Sequence, residues 1–262
     1  MMLVNLGCGK TYHTGWKNYD FVAPDENVIQ HDLLTGVPLP DGVVDVVYHS
    51  HVLEHFSREA GVTFLKECYR VLKRGGIIRI AVPDLENICR AYLASVDEVR
   101  SGRENSQYDH QWMIIELIDQ LVRSSDGGEM AGYWKKKSLP NKEFIYQRLG
   151  QEFARYRAYI EQAQIYDHVQ PLPTWRQKFR AFLAGCKVED IQYIDFRSKG
   201  EIHRWMYDEV SLTILLKDLG FQDIKVCEFA KSNIQDWADY QLEIRDGVIL
   251  KPDSLIIEAR KP

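Results

Sequence analysis

The chain has 262 residues, 38 Asp and Glu against 33 Lys and Arg (net charge −5), and 45% hydrophobic content. That length suffices for one large or two small domains with a substantial core, and the acidity speaks against general nucleic-acid binding, which depends on neutralising phosphates. Apolar runs such as Ile77 to Val82 are far too short to span a bilayer, the opening residues carry no signal-peptide pattern, and five scattered cysteines (Cys8, Cys68, Cys89, Cys186, Cys227) without a Cys-x-x-Cys argue against a disulfide framework and for a reducing cytoplasm.

Short strands come first: Leu3 to Leu6, ended by Gly7-Cys8-Gly9; Asn18 to Phe21; Val28 to His31, ended by Asp32-Leu33; and the β-branched run Val43 to His49. Ser57 to Lys73 places Val62, Leu65, Cys68, Tyr69 and Leu72 on one helical stripe, with Gly75-Gly76 as its stop. Ile77 to Val82 is a continuous apolar strand ended by Pro83-Asp84. Such strands joined by crossovers predict a parallel sheet in an α/β fold. Residues 85–200 read differently, as a helical insertion on the substrate side between two parts of one α/β domain, 1–84 and 201–262. Its helices are predicted over Leu85 to Val96, over Gln111 to Val122, in one long stretch capped by Asn141 with Ile145, Leu149, Phe153, Tyr156 and Ile160 on one face, and over Thr174 to Leu183, stopped by Gly185. Asp208 caps a helix from Glu209 to Leu219, with Gly220 at its end, and Ile224 to Phe229 and Ser254 to Ala259 close the chain as strands around a loop holding Trp237 and Tyr240.

The chemistry gathers at strand ends. Gly7 and Gly9 let the backbone turn tightly and approach a ligand, and Asp20 and Asp32 follow the next two strands. Doubly wound sheets bind ligands beyond the carboxyl ends of their strands. One carboxylate there can hold both hydroxyls of a ribose and a second an adenine amino group, so the set reads as a nucleoside-binding constellation.

Four stretches in the first 85 residues resemble class I S-adenosylmethionine-dependent methyltransferases of the type 11 kind: Val4 to Gly9, Pro38 to Val47, Val52 to Phe56 and Arg70 to Ile78. Glu201 to Asp208 and the closing strands resemble a bacterial subgroup associated with polysaccharide and other glycoconjugate biosynthesis. The resemblance implies a Rossmann-like sheet of seven strands, the last antiparallel, and S-adenosylmethionine as cofactor. It places Leu6, Gly7, Cys8 and Gly9 under the methionine part, Asp20 and Phe21 at the ribose, Asp32 and Leu33 at the adenine, and Ser50 and His51 beside the sulfonium. Two positions depart from the family: Asn5 stands where an Asp or Glu is usual, and Thr11 where a third glycine is usual.

Only about ten residues separate Gly7 from Lys17, and seven lie between Phe21 and Ile29, where a helical crossover needs about a dozen or more. The first two crossovers are therefore expected without helices, leaving one sheet face bare unless the insertion or a second subunit of a homodimer covers it. His51-Val52-Leu53-Glu54-His55 has the form of a zinc-peptidase helix but starts where a strand ends, so no metal is assigned. His203 is the candidate general base, with His55, Arg204 and Trp205 on the acceptor side. Residues 135–180 hold ten Lys and Arg (Lys135, Lys136, Lys137, Lys142, Arg148, Arg155, Arg157, Arg176, Lys178, Arg180) against four acids (Glu143, Glu152, Glu161, Asp167), interleaved with Trp134, Tyr146, Tyr156, Tyr159, Tyr166 and Trp175. They read as a lid for an anionic or sugar-bearing acceptor, as a solvated basic face or, against the net charge, as a site for an RNA substrate. The expected reaction is methyl transfer to a small acceptor, first an O-methylation of a saccharide or glycoconjugate. The alternatives are N-methylation of an amine or amino sugar, and a cofactor-binding module without activity.

Overall fold

The computed structural model describes residues 1–163, 173–197 and 200–262. Tyr166 and Asp167 of the basic stretch lie outside them. The chain divides into two compact units, an α/β unit (1–87 with 204–262) and a helical unit (88–203).

The α/β unit opens with β1 (Leu3–Leu6), β2 (Lys17–Asp20), β3 (Val28–Gln30) and β4 (Val44–Ser50). The first two connections hold no helix, as their length predicts, and the third only a 3-10 turn, Leu33–Thr35. Helix α1 (Arg58–Val71) follows, its N-terminus closed by the Ser57 hydroxyl accepting from the Ala60 N–H, and then β5 (Leu72–Pro83). Gly75 and Gly76 do not stop α1; both sit inside β5. A side chain on Gly76 would come within 2.9 Å of the Lys73 carbonyl and 3.2 Å of the Asp45 carbonyl. Its glycine therefore serves close approach of backbones.

Helix α2 (Leu85–Arg100) leads into the helical unit, which continues with α3 (Ser106–Val122), α4 (Gly128–Trp134), α5 (Lys142–Leu149), α6 (Gln151–Ala163), α7 (Trp175–Ala184) and α8 (Val188–Arg197). The long helix expected after Asn141 is two helices. Gly150, at φ +57° and ψ −129°, breaks it in a conformation that side chains rarely tolerate. Asn141 is no side-chain cap: its amide donates to the Tyr108 carbonyl and its oxygen accepts from the Tyr133 hydroxyl. The basic stretch is partly internal. Arg148 pairs with buried Glu116 at 2.5 Å, and Arg157 donates to the Trp134 and Lys136 carbonyls and to Glu161. These two arginines hold helices of the unit together and are not part of a solvated face.

Back in the α/β unit, α9 (Glu209–Asp218) carries the Asp208 cap and is followed by β6 (Gln222–Val226), a two-strand hairpin of β7 (Ile244–Arg245) and β8 (Val248–Ile249), and β9 (Ser254–Arg260). The main sheet has seven strands in the order β3-β2-β1-β4-β5-β9-β6, and β9 alone runs antiparallel to its neighbours. This is the Rossmann-like arrangement expected from the sequence. Strand β6 starts two residues before the expected Ile224 and ends three before Phe229.

Alternation along the strands splits the core. Val4, Leu6, Val47, Ile78, Ile80 and Ile257 face Phe64, Leu65 and Cys68 of α1 and Leu212 and Leu216 of α9. On the other face, Leu3, Val46, Tyr48 and Ile77 pack against Trp16, Ile234, Trp237 and Leu242. That second face was expected to be bare, or covered by the insertion or a second subunit. Over β1, β4 and β5 it is covered by residues 227–253, a strap of the same unit, while Ile29 of β3 stays half exposed.

Arg79 fastens the strap. Fully buried on the strap face of β5, it pairs with Glu243 at 2.5 Å and Glu258 at 2.6 Å, donates to the Lys231 carbonyl at 3.0 Å, and lies over the Trp237 ring at 4.4 Å. Glu258 also accepts from the Ser232 hydroxyl and from the backbone and side-chain amides of Asn233. A buried cation stands only when its donors and countercharges are matched, and this set matches them.

Candidate functional site

A cavity of about 290 Å³ opens beyond the carboxyl ends of β1 and β4, the place where strand order reverses. Its size lies near the lower end of small-molecule pockets, which start at roughly 300 Å³. One wall is the glycine turn, with Gly7, Cys8, Gly9, Lys10 and Thr11. The second is the end of β4, with Tyr48, Ser50 and His51, and the third is the strap and the start of β9, with Phe229, Leu242, Glu243, Lys251 and Ser254.

The turn is held from below. Gly7 and Cys8 donate to the Tyr19 carbonyl at 2.7 and 3.2 Å, and Gly9 donates to Asp20 Oδ2 at 2.8 Å. Gly7 has φ +68°, and a Cβ there would stand 2.3 Å from a Val52 methyl. Gly9, at φ +53°, would point a Cβ into open space, so its absence leaves room along the cavity wall. Asn5, the departure from an acid, is buried, lines the cavity and donates its amide to the Thr11 carbonyl at 3.2 Å. A carboxylate could not donate that bond, so the amide at position 5 holds the turn from inside. Burial, and then the charge of Asp20, push the Cys8 thiol up to about 12, which keeps it neutral.

The second wall contains a short array. His51 sits in the left-handed region at φ +55°, its N–H on the Ala81 carbonyl. Its Nε2 is 2.8 Å from Ser254 Oγ, and its Nδ1 is 3.3 Å from Glu54 Oε1, a fully buried carboxylate. One backbone hydrogen bond and two side-chain contacts thus fix the placement of the His51 ring on the cavity wall. Ser254 and the strap residues carry no sequence signal: their relation to the cavity depends on a contact made across some 200 positions.

The other sequence-assigned residues fall elsewhere. Leu6 is buried beneath the turn. Asp20 is at the end of β2, each of its oxygens accepting one backbone N–H, from Gly9 and Val22, with lone pairs to spare. Phe21 is exposed beside it. Asp32 caps the 3-10 turn through the Leu34 N–H, and Leu33 is buried. None of these five lines the cavity itself. His55 ends the 3-10 turn Leu53–His55, and the backbone N–H groups of Arg204 and Trp205 both donate to the Glu54 carbonyl, at 2.7 and 3.2 Å. Arg58 lies over the Trp205 ring. His203 belongs to the helical unit, where it is buried and its N–H donates to the Gln120 carbonyl at 3.0 Å.

Residues 13–80 match the family Methyltransf_11, described as a methyltransferase domain. A probable S-adenosylmethionine-dependent methyltransferase of Mycolicibacterium smegmatis is 43% identical over 162 residues, 62% of this chain and 55% of that protein. The 25S rRNA (adenine(645)-N(1))-methyltransferase of Schizosaccharomyces pombe is 32% identical over 90 residues, 31% of this chain and 27% of that protein. The chain thus spans about half the length of the first relative and about a quarter of the second. Among solved structures, a SAM-dependent methyltransferase from Archaeoglobus fulgidus aligns at 13% identity and a TM-score of 0.38, covering 99% of this chain and 86% of that one. Among the described residues no helix is long and apolar enough to cross a membrane.

Proposed function

We propose that this protein, built on a class I S-adenosylmethionine-dependent methyltransferase domain, methylates a hydroxyl group of a saccharide or glycoconjugate. The His51–Ser254 pair on the cavity wall, backed by Glu54, carries this reading. A hydroxyl acceptor must lose its proton as it attacks, and a positioned imidazole is the usual group to receive it.

Bound S-adenosylmethionine supplies an electrophilic methyl group on a positively charged sulfur. The residues present suit such a ligand: Gly9 leaves the space a Cβ would fill, and Asp20 keeps acceptor capacity for a ribose diol. Leu6, Gly7, Cys8 and Gly9 are assigned to the methionine part, Asp20 and Phe21 to the ribose, Asp32 and Leu33 to the adenine, and Ser50 and His51 to the sulfonium side. His55, Arg204 and Trp205, gathered around Glu54, are assigned to the acceptor side.

The proton leaves the acceptor oxygen for Ser254 Oγ, while the Ser254 proton moves to His51 Nε2. The Glu54 carboxylate near Nδ1 steadies the resulting imidazolium. The sequence assigns the base to His203. The contacts of His51 favour His51, and the two variants decide between them.

Titration calorimetry with S-adenosylmethionine and its demethylated product tests the cofactor assignment. Asp20→Ala is expected to weaken both by about ten- to a hundredfold, the worth of hydrogen bonds to a charged group. Turnover is then screened against sugars, sugar nucleotides, amines and RNA oligonucleotides. Methylated sugar supports the reading. Methylated amine or RNA replaces its acceptor, and binding without turnover reduces the protein to a cofactor-binding module. With an acceptor in hand, His51→Ala is expected to lower kcat about a hundredfold while weakening cofactor binding less than Asp20→Ala does. The same loss in His203→Ala alone would move the base there.

A further inference from the structure

Helix α7 is folded inside out. Of its ten residues only Ala181 is buried. Its contacts with α8 come from its polar side: Gln177 Nε2 donates to Asp195 Oδ2 at 3.1 Å, and Arg180 donates to Asp195 Oδ1 at 2.6 Å. Trp175, Phe179, Phe182 and Leu183, spaced four, three and one apart, share the opposite stripe and are 72%, 55%, 81% and 67% exposed. Its counterpart in the α/β unit, α1, does the reverse and buries Phe64, Leu65, Cys68 and Val71. Isolated exposed apolar residues are ordinary, but three aromatic rings and a leucine on one stripe of a ten-residue helix mark a surface that meets something.

The charges say what. Arg176 and Lys178 border the stripe on its two sides, Arg180 lies further round, and α7 has no acidic residue. The Arg176 guanidinium stands 5.7 Å from the Trp175 ring centroid. Aromatic and leucine side chains on one face with Lys and Arg along its edges is the build of helices that lie in the headgroup region of a bilayer, rings among the acyl chain ends and cations among phosphates. Two copies joined across this stripe would bring Arg176 and Lys178 of one against those of the other, which opposes pairing. Capping is complete at both ends, by the Thr174–Gln177 capping box and by Gly185 at φ +63°, so the helix is formed before it meets a surface.

We propose that α7 is a docking helix for an anionic lipid surface, seating Trp175, Phe179, Phe182 and Leu183 in the interface with Arg176 and Lys178 on lipid phosphates. The inference is independent of the acceptor assigned above, and its test uses no enzyme activity. The full chain is sedimented with vesicles of phosphatidylcholine alone and of phosphatidylcholine with phosphatidylglycerol. Binding is expected to the anionic vesicles, and to weaken as salt is raised. The double variant Phe179→Ser/Phe182→Ser removes exposed rings and is expected to lower the bound fraction about tenfold with circular dichroism unchanged. Arg176→Gln/Lys178→Gln, which leaves the apolar stripe intact, is expected to lower it several-fold on anionic vesicles only.

Failure of the native chain to bind anionic vesicles overturns the proposal, and so does binding that neither variant changes. Self-association in sedimentation velocity that Phe179→Ser/Phe182→Ser abolishes, with no vesicle binding, would assign the stripe to a second copy instead.

Discussion

The two faces of the main sheet are built by opposite means. One is covered by α1 and α9, whose inward side chains are almost all hydrocarbon. The other is covered by an irregular strap fastened through a buried ion triad, Arg79 with Glu243 and Glu258. Hydrocarbon packing is tolerant of detail and gives stability in proportion to buried area. The triad gives little net stability, since desolvation offsets its attraction, but it accepts one placement of its partners only. The difference follows use: the helix-covered face lies away from the cavity wall, whereas the strap supplies Phe229, Leu242 and Glu243 to it.

The largest expected effect is on the strap face. Arg79→Ala leaves two buried carboxylates without a countercharge and is expected to cost about 3–5 kcal/mol in urea denaturation. Cofactor affinity in the folded fraction should fall with it, because the third wall of the cavity is released. On the helix face, Leu65→Ala is expected to cost about 2–5 kcal/mol as a cavity-forming truncation, with cofactor affinity unchanged. Equal effects on binding would erase the contrast.

His49 sharpens the comparison through pH. It points into the helix-covered core against Phe64, and among the described residues neither ring nitrogen has a hydrogen-bond partner. Burial pulls its pKa down to about 4, against the opposing pull of Glu54. The unfolded chain therefore takes up a proton that the folded one refuses. The contribution of His49 is complete above about pH 6.5 and is lost as pH falls toward 4, amounting to about 2 kcal/mol at pH 5. His49→Leu should flatten that part of the stability–pH curve; an unchanged slope would show that carboxylates account for it. The smallest effect is at a cap: Ser57→Ala should lower stability by about 1 kcal/mol, read as a shift in the denaturation midpoint.

Local signals in this sequence carried far. The β-branched run of β4 and the continuous apolar run within β5 are strands because nothing but a two-sided core can accept them. The helix-free crossovers after β1 and β2 follow from residue counts alone. Ser57 and Asp208 cap their helices as their types suggest. Glycine misled twice, and for one reason. A glycine marks an unusual backbone position without saying which, so Gly75-Gly76 resembled a helix stop but serves strand packing, while Gly150 divides a stripe that periodicity joined. The helices α4 and α8 and the hairpin β7–β8 lacked a clear period or were too short to show one.

By itself the sequence determined the order of the seven main-sheet strands with α1 and α9 among them, the absence of helices in two crossovers, and the glycine turn with acids at the next two strand ends. These depend on residues within a few positions of each other, where periodicity and capping act. Only the tertiary structure decided which residues wall the cavity. Arg79 reads as an odd charge in an apolar strand until Glu243 and Glu258 arrive from 164 and 179 positions away. His51 meets Ser254 across 203 positions. Contacts at that range are fixed by how the sheet closes and not by spacing along the chain. The exposure of Trp175, Phe179, Phe182 and Leu183 on α7 is likewise a property of packing, which the helical spacing of those residues does not set.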